Sequence, residues 1–186
     1  MATTTTISQV GEFPLISSMV GDLTMGQAVT LGPGDDGAVF QVDGSAVVST
    51  DVLVEEVHFR RRWSTATDVG RKAVAVNVSD IEAMGAVPVA LVVGFSAPGD
   101  LPASWAREFM AGMTAESQKA GVSVVGGDTT GGPVVSIAVT VIGQTAGMAP
   151  VRRDGAVPGD EVAVIGQLGL AAVSYTHLRA HETRHD

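Results

Sequence analysis

Alternating and continuous runs of hydrophobic residues divide the chain into short strands and longer helices. Such runs predict strands over residues 38–42, 46–59, 87–95, 122–125, 134–144 and 161–165. Apolar residues at helical spacing predict helices over residues 12–20, 67–84 and 101–120. The Asp43-Gly44 pair between the first two strands predicts a hairpin. We therefore expect an α+β (mixed α/β) fold, a mixed β-sheet with helices packed on one face.

Composition excludes several classes of partner and binding site. The 186 residues carry a net charge of −9, which argues against nucleic acid or an anionic membrane as partner and suits a site that collects cations. The absence of cysteine excludes disulfides and thiolate metal sites. The N-terminal residues lack the pattern of a signal peptide, and the longest apolar run, 87–95, is too short to span a membrane. These features lead us to expect a cytoplasmic protein.

A glycine-rich loop contains the spacing Gly32-x-Gly34-x-x-Gly37. This spacing is typical of dinucleotide-binding turns, but those turns follow a strand and open a helix, whereas a strand pattern follows here. Asp35 and Asp36 would also repel a bare pyrophosphate. The loop is therefore either a plain turn, since Asp and Gly favour turns, or a site where a divalent cation lies between carboxylate and phosphate.

Three more aspartates lie in apolar or glycine-rich surroundings. Asp51 follows Ser49 and Thr50 within a predicted strand, Asp80 lies in a predicted helix, and Asp128 lies in a glycine turn predicted to follow a strand. A carboxylate in an apolar element is costly unless it is paired or binds metal. With the aspartates of the glycine loop, they are either unrelated caps and turns or members of one site. We favour one site, because two of them break the hydrophobic pattern without an evident structural gain. An all-oxygen ligand set favours Mg²⁺ or Mn²⁺, and several carboxylates suggest more than one ion with a nucleotide.

Four segments of the chain read GDDGAVF, STDVLVEEVHF, KAVAVNVSDIEAMGAVP and GGDTTGGPVVSIAVTVIG. Together they resemble the N-terminal half of thiamine-monophosphate kinase, within the aminoimidazole ribonucleotide synthetase-like superfamily, and the resemblance runs from about Gly11 to about Leu170. A single GDD motif is weak evidence for a family, but the second and third segments in combination are highly specific for this one. The resemblance implies an aminoimidazole ribonucleotide synthetase-like N-terminal domain that dimerises through its strands. It also implies phosphorylation of thiamine monophosphate to thiamine diphosphate with ATP and several Mg²⁺ ions.

The resemblance also implies roles for individual residues. The implied Mg²⁺ ligands are Asp36, Ser49, Thr50, Asp51, Asp80 and Asp128, of which Asp51 and Asp80 are the most critical for turnover. Gly127, Asp128 and Arg153 would contact ATP, and His58 would contact thiamine monophosphate, with no residue needed as general base. Without the resemblance, the preferred interpretation of His58 is a strand-end histidine packed by Phe59. Arg153 belongs equally to an exposed arginine pair.

The domain organisation follows from the same comparison. We expect residues 1–150 to form the ATP/Mg-binding and dimerisation domain, 151–173 to begin a truncated second domain, and 174–186 to be a non-native tail. The tail contains His181-Glu182-x-x-His185, a zinc-protease spacing that we interpret as accidental because only Asp186 follows it. Two alternatives stay open: a superfamily enzyme with a different phosphate acceptor, or a dimerising fragment that binds Mg-nucleotide without turnover.

Overall fold

A computed structural model describes residues 4–169 of the chain. The chain divides into two compact units, Met1–Arg152 and Arg153–Asp186. The first unit contains the helices α1 (Ile7–Val10), α2 (Glu12–Val20), α3 (Ala66–Ala83) and α4 (Ala103–Ala120). Its strands are β1 (Val29–Leu31), β2 (Val39–Phe40), β3 (Ala46–Val54), β4 (Val87–Ala97), β5 (Ser123–Gly131) and β6 (Ser136–Gln144). In the second unit, the described residues 153–169 are exposed and form neither helix nor strand.

The main sheet is mixed and has the strand order β3-β6-β4-β5. Strand β6 pairs antiparallel with both β3 and β4, whereas β4 and β5 pair parallel and are joined by α4. Strands β1 and β2 form a separate antiparallel ribbon. The expected mixed sheet with helices packed against it is confirmed.

Helices α3 and α4 cover one face of the main sheet and enclose the hydrophobic core between them and the strands. The rings of Phe95, Trp105 and Phe109 stack in this core, with centroids 5.5–6.3 Å apart. The two helices pack closely at Gly70, where an added Cβ would lie 2.1 Å from the carbonyl oxygen of Phe109. Only glycine permits such an approach of two helix backbones.

The opposite face of the sheet is covered only in part. The ribbon β1–β2 and the segment before it pack on the end formed by Val89, Ala90 and Val125. Further along this face, Val48 is 61% exposed and Val52 is 45% exposed. The first unit therefore presents a partly apolar sheet surface to solvent.

In residues 4–169 no helix has the length and apolar character needed to cross a membrane.

Several local predictions were wrong. Asp43-Gly44 does not join a hairpin, because β2 pairs with β1 whereas β3 pairs with β6. Strand β3 ends at Val54, and residues 55–59 form a turn instead of continuing the strand. Residues 161–165 form no strand. The helices predicted over 12–20, 67–84 and 101–120 are confirmed to within two residues. The predicted tail motif at 181–185 lies outside the described residues.

Candidate active site

The triplet Ser49-Thr50-Asp51 lies in β3, an edge strand of the main sheet. Because successive strand residues point to opposite faces, Ser49 and Asp51 share the helix-covered side and Thr50 does not. The Ser49 hydroxyl donates a hydrogen bond of 2.9 Å to Oδ2 of Asp80 on α3. The Thr50 hydroxyl donates to the carbonyl oxygen of Val139 at 3.0 Å. The structure thus brings Ser49, Asp51 and Asp80 to one side and places the Thr50 side chain on the other.

A cavity of about 690 Å³ lies beside β5, at the other edge of the sheet. Its walls come from α2, the loop of residues 33–38, the centre of β4 and residues 124–129. Both Asp36 and Asp128 line it. Asp128 lies inside β5, so the prediction that it follows the strand was wrong. Two of the aspartates singled out in the sequence therefore share one cavity, although they lie 92 positions apart in the chain.

Glycines open the walls of this cavity. Gly34 adopts φ +125°, a backbone conformation that side chains rarely tolerate. Cβ atoms added at Gly37 or Gly126 would meet no atom within 4 Å, so the space beside them is free. At Gly127, by contrast, an added Cβ would lie 2.0 Å from the carbonyl oxygen of Val93, so strand packing alone requires glycine there. The loop and β5 can therefore bring main-chain groups close to a ligand.

His58 lies in the turn after β3 and is exposed to solvent. Its Nδ1 atom accepts a hydrogen bond of 3.0 Å from the Val54 main-chain N–H. Lys72 on α3 donates to the His58 carbonyl oxygen at 2.6 Å. The alternative interpretation, a histidine packed by Phe59, does not describe the imidazole, because Phe59 is buried whereas His58 is not. Arg153 belongs to the second unit and is also exposed.

The burial argument from sequence was wrong for Asp51 and Asp80. Both side chains are exposed, because Asp51 lies on an edge strand and Asp80 lies in the last turn of α3. Across residues 4–169, no group of three or more histidine, aspartate or glutamate side chains is close enough to hold a metal ion. Within the same range, the carboxylates of Asp36, Asp51 and Asp128 accept no hydrogen bond from another side chain or from the backbone. They are free to interact with solvent or ligand.

Sequence reasoning missed two features of the site. Glu55 is buried and paired with Arg61, and the run of charges EEVHFRRR was its only signal. The contribution of α2 to the cavity, through Ile16, Met19 and Val20, was also missed. These residues carry the apolar pattern of any amphipathic helix, so the sequence gives no indication that they face a cavity.

A protein-family model, AIR synthase related protein, N-terminal domain, matches residues 34–145. The chain belongs to this family. The matched range contains every predicted site residue except Arg153. The family predicted from the four sequence segments is confirmed, and so is its fold.

Relatives with known names agree with one another. Thiamine-monophosphate kinase of Mycobacterium tuberculosis is 48% identical over 171 residues, which cover 91% of this chain and 51% of the relative. The crystal structure of thiamine-monophosphate kinase from Stenotrophomonas maltophilia superposes with a TM-score of 0.76 at 34% identity, covering 90% of this chain and 51% of that one. A structure of AaThiL complexed with AMPPCP and TMP has a TM-score of 0.66 at 30% identity, covering 96% and 56%. The chain spans about half the length of the relatives it matches.

Proposed function

We propose that this chain supplies the N-terminal, nucleotide-binding part of a kinase that uses ATP to phosphorylate thiamine monophosphate. Relatives named thiamine-monophosphate kinase, 48% and 38% identical over more than nine-tenths of this chain, support the activity. The AaThiL complex with AMPPCP and TMP supports the two substrates, because AMPPCP is an analogue of ATP. The activity is therefore that of a phosphotransferase with a phosphate group as acceptor, which forms thiamine diphosphate.

The cavity beside β5 is the observation that carries this proposal. Its volume of about 690 Å³ suits a nucleotide-sized ligand. Apolar side chains from α2 and β4 form one part of the lining, and Gly126, Gly127 and Asp128 form another. We place the base and ribose of ATP against the apolar part and the phosphates toward Asp36 and Asp128. The family resemblance implies a further ATP contact for Arg153, which belongs to the second unit.

The oxygen-rich side chains fit Mg²⁺ as the ion that accompanies these phosphates. Carboxylate and hydroxyl oxygens are the ligands that Mg²⁺ takes, and three of the carboxylates have no protein partner within residues 4–169. The proposed side-chain ligands are Asp36, Ser49, Asp51, Asp80 and Asp128. Thr50 would take part only through its main-chain oxygen, because its hydroxyl donates to Val139 on the other face of the sheet. Bound Mg²⁺ supplies positive charge that offsets the repulsion between the phosphate groups of the two substrates. Without cations, a cavity edged by aspartates in a protein of net charge −9 would repel ATP.

The reaction needs no general base from the protein. The acceptor is a phosphate monoester that is largely ionised near neutral pH, so its oxygen attacks without losing a proton first. The work left to the protein is to hold both anions in line and to exclude competing water. We assign His58 to the acceptor phosphate, because its imidazole is exposed while its turn is held by main-chain hydrogen bonds.

The open face of the main sheet favours a homodimer. Val48, Val52 and Val92 are 61%, 45% and 38% exposed on this face, and Ala138 and Thr140 lie across from them in the sheet register. An exposed, partly apolar sheet face of this kind is typical of a protein interface. We propose that a second copy of the chain covers it. We also propose that residues 1–150 form the dimerising domain, that 151–173 begin a second domain and that 174–186 are a tail foreign to the fold.

An assay of thiamine diphosphate formation tests the proposal. The 186-residue chain and a fusion of it to the C-terminal half of the M. tuberculosis relative are each incubated with ATP, thiamine monophosphate and Mg²⁺. We expect product from the fusion, and its loss when Mg²⁺ is chelated. Product from the fusion but not from the chain alone would identify the chain as a nucleotide-binding part that does not turn over. Activity of the fusion only with another acceptor would contradict the assignment of thiamine monophosphate.

A further inference from the structure

Glu55 is the only buried charged side chain among residues 4–169, with 9% exposure. One carboxylate oxygen pairs with Nε of Arg61, and the other accepts a hydrogen bond of 3.2 Å from the main-chain N–H of Val135. The Glu55 main-chain N–H also donates to the Val135 carbonyl oxygen at 2.9 Å. Glu55 therefore ties the end of β3 to the residue preceding β6 and to the arginine that follows the turn.

The turn held in this way is the one that carries His58. The main-chain N–H of His58 donates to the Val54 carbonyl oxygen at 2.8 Å, and the Val54 N–H donates back to Nδ1 of His58 at 3.0 Å. The Glu56 N–H donates to the Phe59 carbonyl oxygen at 2.8 Å. Glu56 has φ +64°, a backbone conformation that residues other than glycine rarely adopt. The turn thus has a specific shape that its own hydrogen bonds and its anchors maintain.

The Val54 hydrogen bond also determines which nitrogen of His58 can reach a ligand. A neutral imidazole has one N–H donor and one acceptor nitrogen. Because Nδ1 accepts from Val54, the proton of the neutral ring is on Nε2. His58 is exposed, so this Nε2–H group is available to a ligand acceptor. A phosphate oxygen is an acceptor of this kind.

We propose that Glu55 is a positioning residue that holds the turn of residues 54–59, so that His58 presents Nε2–H to the phosphate of the acceptor substrate. This proposal rests on the proposed function for the identity of the substrate. Local charge is consistent with an anionic ligand here, because residues 55–72 contain five lysines and arginines against three acidic residues, in a protein of net charge −9. Glu55 acts through His58 and does not itself contact substrate.

Adjacent glutamates provide a matched pair of variants. Glu55→Gln keeps the size of the buried side chain but removes the charge that pairs with Arg61. Glu56→Gln is the control, because Glu56 pairs with Arg60 and Arg62 while remaining 53% exposed. Arg61→Ala removes the same pair from the other side, at a residue that is 41% exposed. It therefore serves as a second test if Glu55→Gln folds poorly.

Amide hydrogen exchange, followed by NMR on the 186-residue chain, measures directly how firmly the turn is held. Val54 lies on an edge strand and its N–H is protected by His58 Nδ1, so loosening the turn exposes it. We expect about tenfold faster Val54 exchange in Glu55→Gln and Arg61→Ala, since each loses a charge-assisted hydrogen bond. Exchange at Val93 in the central strand should not change. Unchanged Val54 exchange, or an equal increase at Val93, would overturn the positioning role.

Calorimetric titration with thiamine monophosphate, in the presence of Mg-AMPPCP, measures how the variants change the affinity for this ligand. We expect His58→Asn to weaken binding about tenfold, and His58→Gln less, because the glutamine amide N–H can reach the place of Nε2. Glu55→Gln alone should weaken binding of thiamine monophosphate three- to tenfold. Adding Glu55→Gln to His58→Asn should cause no further loss, because both changes act on the same contact. The affinity for AMPPCP should stay constant. Additive losses in the double variant would contradict an effect through His58. If the parent chain binds no thiamine monophosphate, the proposed function fails for this chain, whereas the exchange data still decide the role of Glu55.

Discussion

The strand β5 carries three glycines whose replacement by alanine should have three different outcomes. Gly126 lines the cavity with free space where a Cβ would be, and its backbone conformation is one that alanine tolerates. Gly131 also has free space around the Cβ position but does not line the cavity. Gly127 has no such space, because the carbonyl oxygen of Val93 lies 2.0 Å from the Cβ position. The set therefore separates effects on the ligand from effects on the fold.

The expected magnitudes follow from these surroundings. Gly126→Ala should leave the free energy of unfolding unchanged or raise it by about 0.5 kcal/mol, since alanine restricts the unfolded chain. Its methyl group occupies volume that we assign to the nucleotide, and overpacking of this kind costs about 1–3 kcal/mol. A cost near 1.4 kcal/mol weakens nucleotide binding about tenfold. Gly127→Ala should instead destabilise the fold by about 1–3 kcal/mol or more, because backbone atoms must move.

The assay compares urea denaturation with calorimetric titration of Mg-AMPPCP for each variant. Gly131→Ala is the control, and we expect its nucleotide affinity and its denaturation midpoint to stay close to those of the parent. If Gly126→Ala bound AMPPCP as tightly as the parent, the cavity beside β5 would not hold the nucleotide. If Gly131→Ala weakened binding as much as Gly126→Ala, the effect would reflect β5 as a whole.

Three further predictions test other parts of the molecule. Asp80→Asn should reduce turnover of the fusion enzyme at least a hundredfold without changing its circular dichroism, and near-normal activity at limiting Mg²⁺ would contradict a metal role. Val52→Lys should convert the proposed dimer to a monomer in light scattering, whereas Val157→Lys, at an exposed valine in the second unit, should not. Hydrogen bonds from Thr65 lower the pKa of Asp68 below its ordinary 3.8. Its contribution to stability is therefore full above pH 4 and declines as pH falls through the lowered pKa, so Asp68→Asn should lower the thermal midpoint more at pH 7 than at pH 3.

Helices were predictable because their signals are local. The spacing of apolar residues from 67 to 84, with Gly85 after them, locates α3 to within one residue. The N-cap is Thr65, and its capping box with Asp68 follows the ordinary chemistry of helix starts. Strand pairing was less predictable. Asp43-Gly44 has the composition of a hairpin turn, yet the partner of β3 lies about ninety residues away in β6, a contact that no local pattern encodes.

For the candidate site, the surroundings of the aspartates could not be predicted from the sequence. Asp51 and Asp80 interrupt apolar patterns, and the sequence therefore predicts a costly apolar environment for both carboxylates. The structure instead exposes them, because β3 is an edge strand and α3 ends three residues after Asp80. Glu55 shows the converse: two adjacent glutamates look alike in sequence, but one is buried and the other is exposed. Which glutamate turns inward depends on where Val135 lies, and that is set by the pairing of β3 with β6.

The arrangement of the aspartates leads to a prediction about metal stoichiometry. Asp51 pairs in register with Val139, Val139 with Val93, and Val93 with Gly127, so Asp51 and the residue before Asp128 lie in one row across four strands. Three strand spacings make this row about 14 Å long. A single Mg²⁺ binds its ligands at about 2.1 Å and cannot join the ends of the row.

If both ends hold metal with the nucleotide between them, more than one ion must bind per chain. Equilibrium dialysis with Mn²⁺ in the presence of AMPPCP should therefore give two or more ions per chain, falling by about one in Asp128→Asn and by about one in Asp80→Asn. A stoichiometry of one ion that is lost in Asp128→Asn but kept in Asp80→Asn would confine the metal site to the cavity beside β5. The Ser49–Asp80 pair would then be a structural contact between β3 and α3.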